Sequence, residues 1–102
     1  MPIHVITLAE ALPQHVDAVR SQLAEMANMT RMAEGCVRCD VYAASGGPRY
    51  FNTIEVWVSA EAHAAWIQSA PLLKSIAPLF GKMKGLPEVR VLDVINELAD
   101  GT

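Results

Sequence analysis

The chain has 102 residues, 52% of them hydrophobic and 19% charged, which argues for one folded domain with a single core and against disorder. Its formal charge of -3, with no basic cluster, makes nucleic acid an unexpected partner. No apolar run is long enough to cross a bilayer and no signal-peptide pattern opens the chain, so a soluble cytoplasmic protein with no membrane partner is expected.

Ile3 to Ala9 reads IHVITLA, rich in β-branched residues, and predicts a first strand. Pro13 suits the first turn of a helix, where its missing N–H costs nothing. Val16, Val19, Leu23, Met26 and Thr30 then recur at three- and four-residue steps, the inward stripe of an amphipathic helix, and Gly35 ends that region.

Val37, Cys39, Val41 and Ala43 alternate with Arg38, Asp40 and Tyr42, which predicts strand two. In a regular strand, side chains three apart point to opposite faces, so Cys36 and Cys39 are expected to diverge. No second cysteine or histidine pair completes a zinc set, and the cysteines read as small buried hydrophobes, with no metal site.

The cluster Ser45-Gly46-Gly47-Pro48 is a turn, and Tyr50 to Val58 makes strand three of a hairpin. Ser59 caps the next helix, along which Ala62, Ala65, Trp66 and Ser69 line one side. Pro71 starts a further helical segment bearing Leu72, Leu73, Ile76, Leu79, Phe80 and Met83, with Pro78 bending it or ending its regular bonding. Val89, Val91 and Ile95 belong to strand four, and the chain from about residue 97 reads as a loose tail on a single domain spanning 1–102.

The order βαββαβ predicts an α+β, ferredoxin-like domain with an antiparallel sheet covered by helices on one face. The uncovered face is assigned Phe51 and Trp57, and burying it against a second copy predicts a homodimer formed through the sheet.

Phe51 to Ser69 carries the densest chemistry. Glu55 and Trp57 share one face of strand three, and His63 and Trp66 follow on the helix, so acid, imidazole and two indoles meet at a strand-to-helix corner suited to a flat aromatic ligand. His63 is the candidate base because its unperturbed pKa lies near neutrality; a solvated helix histidine is the bland alternative. Glu55 orients His63, acts as base itself if desolvated, or simply pairs with Arg38 or Arg90 across the sheet. The indoles of Trp57 and Trp66 wall the ring and offer N–H groups to a developing oxyanion, or serve as core.

Several pieces resemble the antibiotic-biosynthesis-monooxygenase family of dimeric α/β barrels. They are Glu34-Gly35-Cys36 opening strand two, Glu55-Val56-Trp57 in strand three, Ser59 with Glu61-Ala62 beginning a helix, and the Ser69 to Leu72 step. The likeness spans about Ile3 to Ile95. It implies a pocket between sheet and helices, and relatives that include cofactor-free oxygenases of polycyclic phenols, quinol oxygenases, haem-degrading oxygenases and a sugar isomerase.

Trp66 matches the early helix tryptophan of the haem-degrading members. Their iron-ligating histidine falls on Ile76 and their strand-one asparagine near Ile6, so the resemblance disfavours haem degradation. Quinol-oxygenase-like and isomerase-like members carry a histidine where Trp66 stands. The polycyclic-phenol oxygenases match at Trp57, with Thr53 in place of their asparagine and Asn52 one position off.

The resemblance therefore implies a monooxygenase-like enzyme, using no cofactor, that oxidises a phenolic, quinol or polycyclic aromatic with molecular oxygen. His63, Trp66 and Glu55 are its catalytic candidates; Trp57, Phe51, Thr53, Phe80 and Met83 are its substrate-binding candidates. A non-catalytic dimeric barrel that binds a small hydrophobe is the alternative, since fold likeness transfers activity poorly.

Overall fold

The computed structural model describes residues 1–96. Four strands, β1 (Ile3–Glu10), β2 (Cys36–Ala44), β3 (Gly47–Trp57) and β4 (Glu88–Leu92), and three helices, α1 (Val16–Thr30), α2 (Ala60–Ile67) and α3 (Ala70–Ile76), follow in the order β1-α1-β2-β3-α2-α3-β4. The sheet runs β2-β3-β1-β4 with every neighbouring pair antiparallel. This is the ferredoxin-like α+β arrangement that the order of elements predicts, and it sets the helices against one face of the sheet.

Local chemistry accounts for the boundaries. Pro13 opens a short 3-10 turn (Pro13–His15) that leads into α1. Ser59 and Ser69 cap α2 and α3, their hydroxyl oxygens accepting from the backbone N–H groups of Ala62 and Leu72 at 3.1 and 3.4 Å. Pro78 sits in a second 3-10 turn (Ala77–Leu79), as its missing donor requires. Phe80 and Met83 therefore lie beyond the helical segment expected to carry them, and Met83 forms an isolated bridge with Ala11 instead. Ile95 falls outside β4, and the tail expected from about 97 lies outside the described residues.

The register reverses one expectation about faces. Ile3, Val5, Thr7 and Ala9 of β1 oppose Trp57, Glu55, Thr53 and Phe51 of β3, and this row faces the helices. Phe51 and Trp57, assigned above to the open face, are 1% and 0% exposed on the covered one. The other face instead carries Ile6 and Leu8 of β1 beside Ile54 and Val56 of β3, all half-buried. Phe51 packs with Ala11, Val19, Leu23 and Leu79, while Trp57 packs with Ile3 and Val5 under Ala62 and Trp66. Burying each such large side chain contributes on the order of 1.5–3 kcal/mol.

β2 is not the regular strand its alternation suggests. Cys36 opposes Trp57 and Arg38 opposes Val56, leaving Val37 as an extra, exposed residue in a bulge. The bulge shifts the side-chain period by one, so Cys36 and Cys39 share the helix-covered face rather than diverging, and Val37 leaves the inward row. α2 departs in a smaller way. Its inward residues are Ala62, His63 and Trp66, whereas Ala65 faces solvent.

Candidate functional site

The sheet and helices do not close completely on each other. Between them lies a cavity of about 420 Å³, floored by Val5, Thr7, Thr53 and Glu55 and roofed by residues of all three helices. The helical period supplies Leu23, Met26 and Thr30 from α1, and His63 and Trp66 from α2. The segment after α3 closes the remaining side with Phe80, Met83 and Leu86.

Polar groups gather toward one end. Glu55 stands beside Cys39 across the β2–β3 ladder and beside Val5 across the β3–β1 ladder. Its Oε1 accepts the indole N–H of Trp57 at 2.7 Å. Arg38 and Arg90, offered above as partners, lie on other business: Arg38 pairs with Asp40 and Tyr42, and Arg90 with Glu88. The Glu55 carboxylate thus has no cationic partner among the described residues.

His63 is 9% exposed, not a solvated helix residue. Its ring lies 5.6 Å from that of Trp57, tilted by 54°, and forms part of the cavity wall. Trp66 spans the gap between α2 and α1, its N–H donating to the Thr30 hydroxyl at 3.2 Å, which itself donates to the Met26 carbonyl at 2.7 Å. Both indole N–H groups are therefore engaged within the protein, which removes them as donors to a developing oxyanion.

Of the other candidates, Phe51, Thr53, Phe80 and Met83 line the cavity, whereas Trp57 is sealed behind it. Phe80 is 75% exposed and forms part of the rim. The Thr53 hydroxyl is buried with no hydrogen-bond partner, so a polar atom of a ligand meets an unsatisfied group there. Sequence reasoning missed Cys39, whose thiol is 3% exposed on the cavity wall. Burial first, then the neighbouring Glu55, push this thiol up to about 12. The same two causes raise Cys36. Thiols held in the protonated form make poor nucleophiles and poor metal ligands. Among the described residues no cluster of three or more His, Cys, Asp or Glu is placed to hold a metal ion.

The positions that the resemblance assigns to haem binding carry no ligand for it. Ile76 lines the wall where the resemblance would place the iron ligand and offers only carbon, and Ile6 projects from the opposite side of the sheet.

A four-stranded antiparallel sheet with helices on one face and an apolar pocket between them defines a ferredoxin-like domain with a built ligand chamber. The family described as antibiotic biosynthesis monooxygenase matches residues 2–77, and the chain belongs to it. The fold is similar to that of Rv0793 from Mycobacterium tuberculosis, at 26% identity over 95% of this chain and 98% of that one, with a TM-score of 0.86. It is also similar to PA3566 from Pseudomonas aeruginosa, at 19% identity over 92% and 94% of the two chains and a TM-score of 0.84. A third structure, described as an antibiotic biosynthesis monooxygenase, is 19% identical over 91% and 98%, again with a TM-score of 0.84. No curated protein matches the chain. No described helix is long and apolar enough to cross a membrane.

Proposed function

We propose that the protein oxygenates a phenolic or quinol-type aromatic, drawing its reducing electrons from the substrate itself. The observation that carries this reading is the cavity: a largely apolar chamber with one carboxylate, Glu55, that no cation among the described residues neutralises. Triplet oxygen reacts sluggishly with closed-shell molecules, so the ring must first become electron-rich. Glu55 takes the phenolic proton, and the resulting anion passes one electron to oxygen. Recombination forms a carbon–oxygen bond to a peroxide, whose outer oxygen takes back the proton held by Glu55. His63, which also lines the cavity, takes the hydrogen on the same ring carbon as the O–O bond breaks and passes it to the departing hydroxide, so one oxygen atom stays as a quinone carbonyl and the other leaves as water. The apolar walls exclude bulk water, and Trp66 and Phe51 hold the ring.

We place a second copy of the chain on the open sheet face. Ile6, Leu8, Ile54 and Val56, with the exposed Tyr42 and Leu92, offer it an apolar surface, and members of this family are often dimeric. Light scattering of the purified protein checks the assembly; a monomer at micromolar concentration refutes it.

A second reading, a non-catalytic barrel that stores a small hydrophobe, draws support from the engaged indole N–H groups, which leave no indole donor for an oxyanion. One experiment separates the two. Oxygen uptake with a dihydroxyanthracene or naphthoquinol, without added metal or flavin, is expected for the enzyme and is expected to vanish in Glu55→Gln. Binding of the same compounds with no uptake above the buffer rate supports the store.

A further inference from the structure

We propose that Trp57 is a positioning residue: it holds the Glu55 carboxylate in place for proton transfer and does not touch the substrate. The inference rests on the reading of Glu55 as base, and it moves Trp57 from the wall of the pocket to the frame behind it.

Four observations converge. Trp57 is 0% exposed and is absent from the cavity lining, so a ligand has no path to its ring. Its N–H donates to Glu55 Oε1 at 2.7 Å, a bond between residues two apart on the same strand face. An N–H given to a carboxylate is a charge-assisted bond; it stabilises the ionised group and fixes the rotation of the second oxygen. The indole itself cannot shift, being locked among Ile3, Val5, Ala62 and Trp66.

The other groups around Glu55 offer no substitute. Val5 on β1 is apolar. Cys39 and Cys36 on β2 are weak thiol donors whose ionisation Glu55 opposes. Arg31 approaches from behind β2 but spends its Nε on the Cys39 carbonyl at 2.6 Å and another nitrogen on Asp40. His63, on α2, sets its ring 5.6 Å from the same indole in a tilted contact. One buried tryptophan thus sets the acid through a hydrogen bond and the imidazole through a ring contact, and so fixes the distance between the two groups that the proposed reaction uses.

Trp57→Phe removes the donor and keeps an aromatic ring. The expected result is a fall in kcat of tenfold or more, with KM and the affinity for 1-naphthol, measured anaerobically by fluorescence, unchanged within about twofold. Should Trp57→Phe fail to fold, benzothienylalanine at position 57, which keeps the ring shape without the N–H, takes its place. In nitrogen-15 NMR spectra of the ligand-free protein, Glu55→Leu is expected to shift the Trp57 indole resonance and strip its exchange protection, leaving the Trp66 resonance in place. A tenfold loss of naphthol affinity overturns the proposal, because it would put Trp57 against the ligand. A kcat equal to wild type, or a Trp57 resonance indifferent to Glu55→Leu, also overturns it. The NMR and naphthol measurements need no turnover, so absence of oxygen uptake in the wild type would sink the oxygenase reading and leave these two to decide the placement.

Discussion

Gly35→Ala tests how closely α2 is pressed onto the end of β2, and hence what holds His63 and Trp66 over the sheet. Gly35 has φ +86°, and a Cβ built there would stand 2.5 Å from the Cβ of Ala62 and 3.1 Å from Cγ2 of Val58. The left-handed conformation alone costs an L-residue about 1–2 kcal/mol. Forcing a methyl group into a packed contact adds about 1–3 kcal/mol. Gly46 provides the control, since its φ is +78° but nothing lies within 4 Å of its Cβ position. With about 4–8 °C of melting temperature per kcal/mol for a domain near this size, Gly46→Ala is expected to lower Tm by about 4–16 °C. Gly35→Ala is expected to lower it by at least about 8 °C, and by roughly 4 °C or more beyond the control. Circular dichroism melts of both variants in one buffer give the comparison. Because Ala62 precedes His63, Gly35→Ala is also expected to weaken 1-naphthol binding while Gly46→Ala leaves it intact. Equal losses of Tm in the two variants would refute the close approach of α2.

Trp66→Phe keeps the ring but leaves the Thr30 hydroxyl without its donor, so a loss of about 1 kcal/mol in urea unfolding is expected. Trp66→Ala, which removes a cavity wall, is expected to weaken naphthol binding at least tenfold more than Trp66→Phe does. Thr53→Phe fills the cavity floor with a strand-compatible side chain; naphthol binding is expected to vanish while the light-scattering mass stays unchanged. Unfolded Cys39 ionises near 9.0 and the native thiol only near 12, so between these values the unfolded chain has released a proton that the native protein retains. The stabilisation is complete below about 9 and is lost as pH rises toward 12, at up to about 1.4 kcal/mol per unit. Urea midpoints at pH 8.5 and 10.5 are therefore expected to fall more steeply for wild type than for Cys39→Ala, and parallel slopes would contradict the burial of that thiol.

Periodicity made the architecture legible because β1 and α1 each bury one face at regular spacing. Val19, Leu23 and Thr30 on α1 sit inward as their spacing requires, and Ser59 and Pro71 mark the helix starts they predict. The errors arise where one residue changes the period. Val37 loops out of β2 and turns Cys36 onto the same side as Cys39, and no residue type announces a bulge at that position. The assignment of Phe51 and Trp57 to the open face failed for a related reason. β3 is apolar on both sides, with Ile54 and Val56 opposing Phe51 and Trp57, so alternation separates two faces without saying which one the helices cover. At the site, the acid and both indoles were visible as residue types. Which of them reach the cavity depended on hydrogen bonds between side chains, which no spacing rule encodes.

The irregular features fall together, and their placement bears on how the cavity works. The positive-φ Gly35, the Val37 bulge and the Ser59 cap all lie where β2, β3 and α2 meet. Each shortens the distance between that helix and the sheet: the glycine by admitting Ala62, the bulge by bending β2, the cap by starting α2 directly after β3. Glu55, Cys39, His63 and Trp57 are thereby gathered at the tightly built end of the chamber. The opposite end is closed by the stretch between Phe80 and Val89, whose backbone is held at Lys82 and Lys84 by hydrogen bonds to Leu12 and Glu10. Phe80 and Leu86 flank those anchor points and stand well exposed. A rigid polar end fixes the orientation of a ligand's acidic group, while an apolar rim of exposed side chains adapts to the rest of it. Chemistry that depends on placing one proton acceptor against one hydroxyl belongs at the first end, and substitutions at Phe80 or Leu86 should therefore alter KM before they alter kcat.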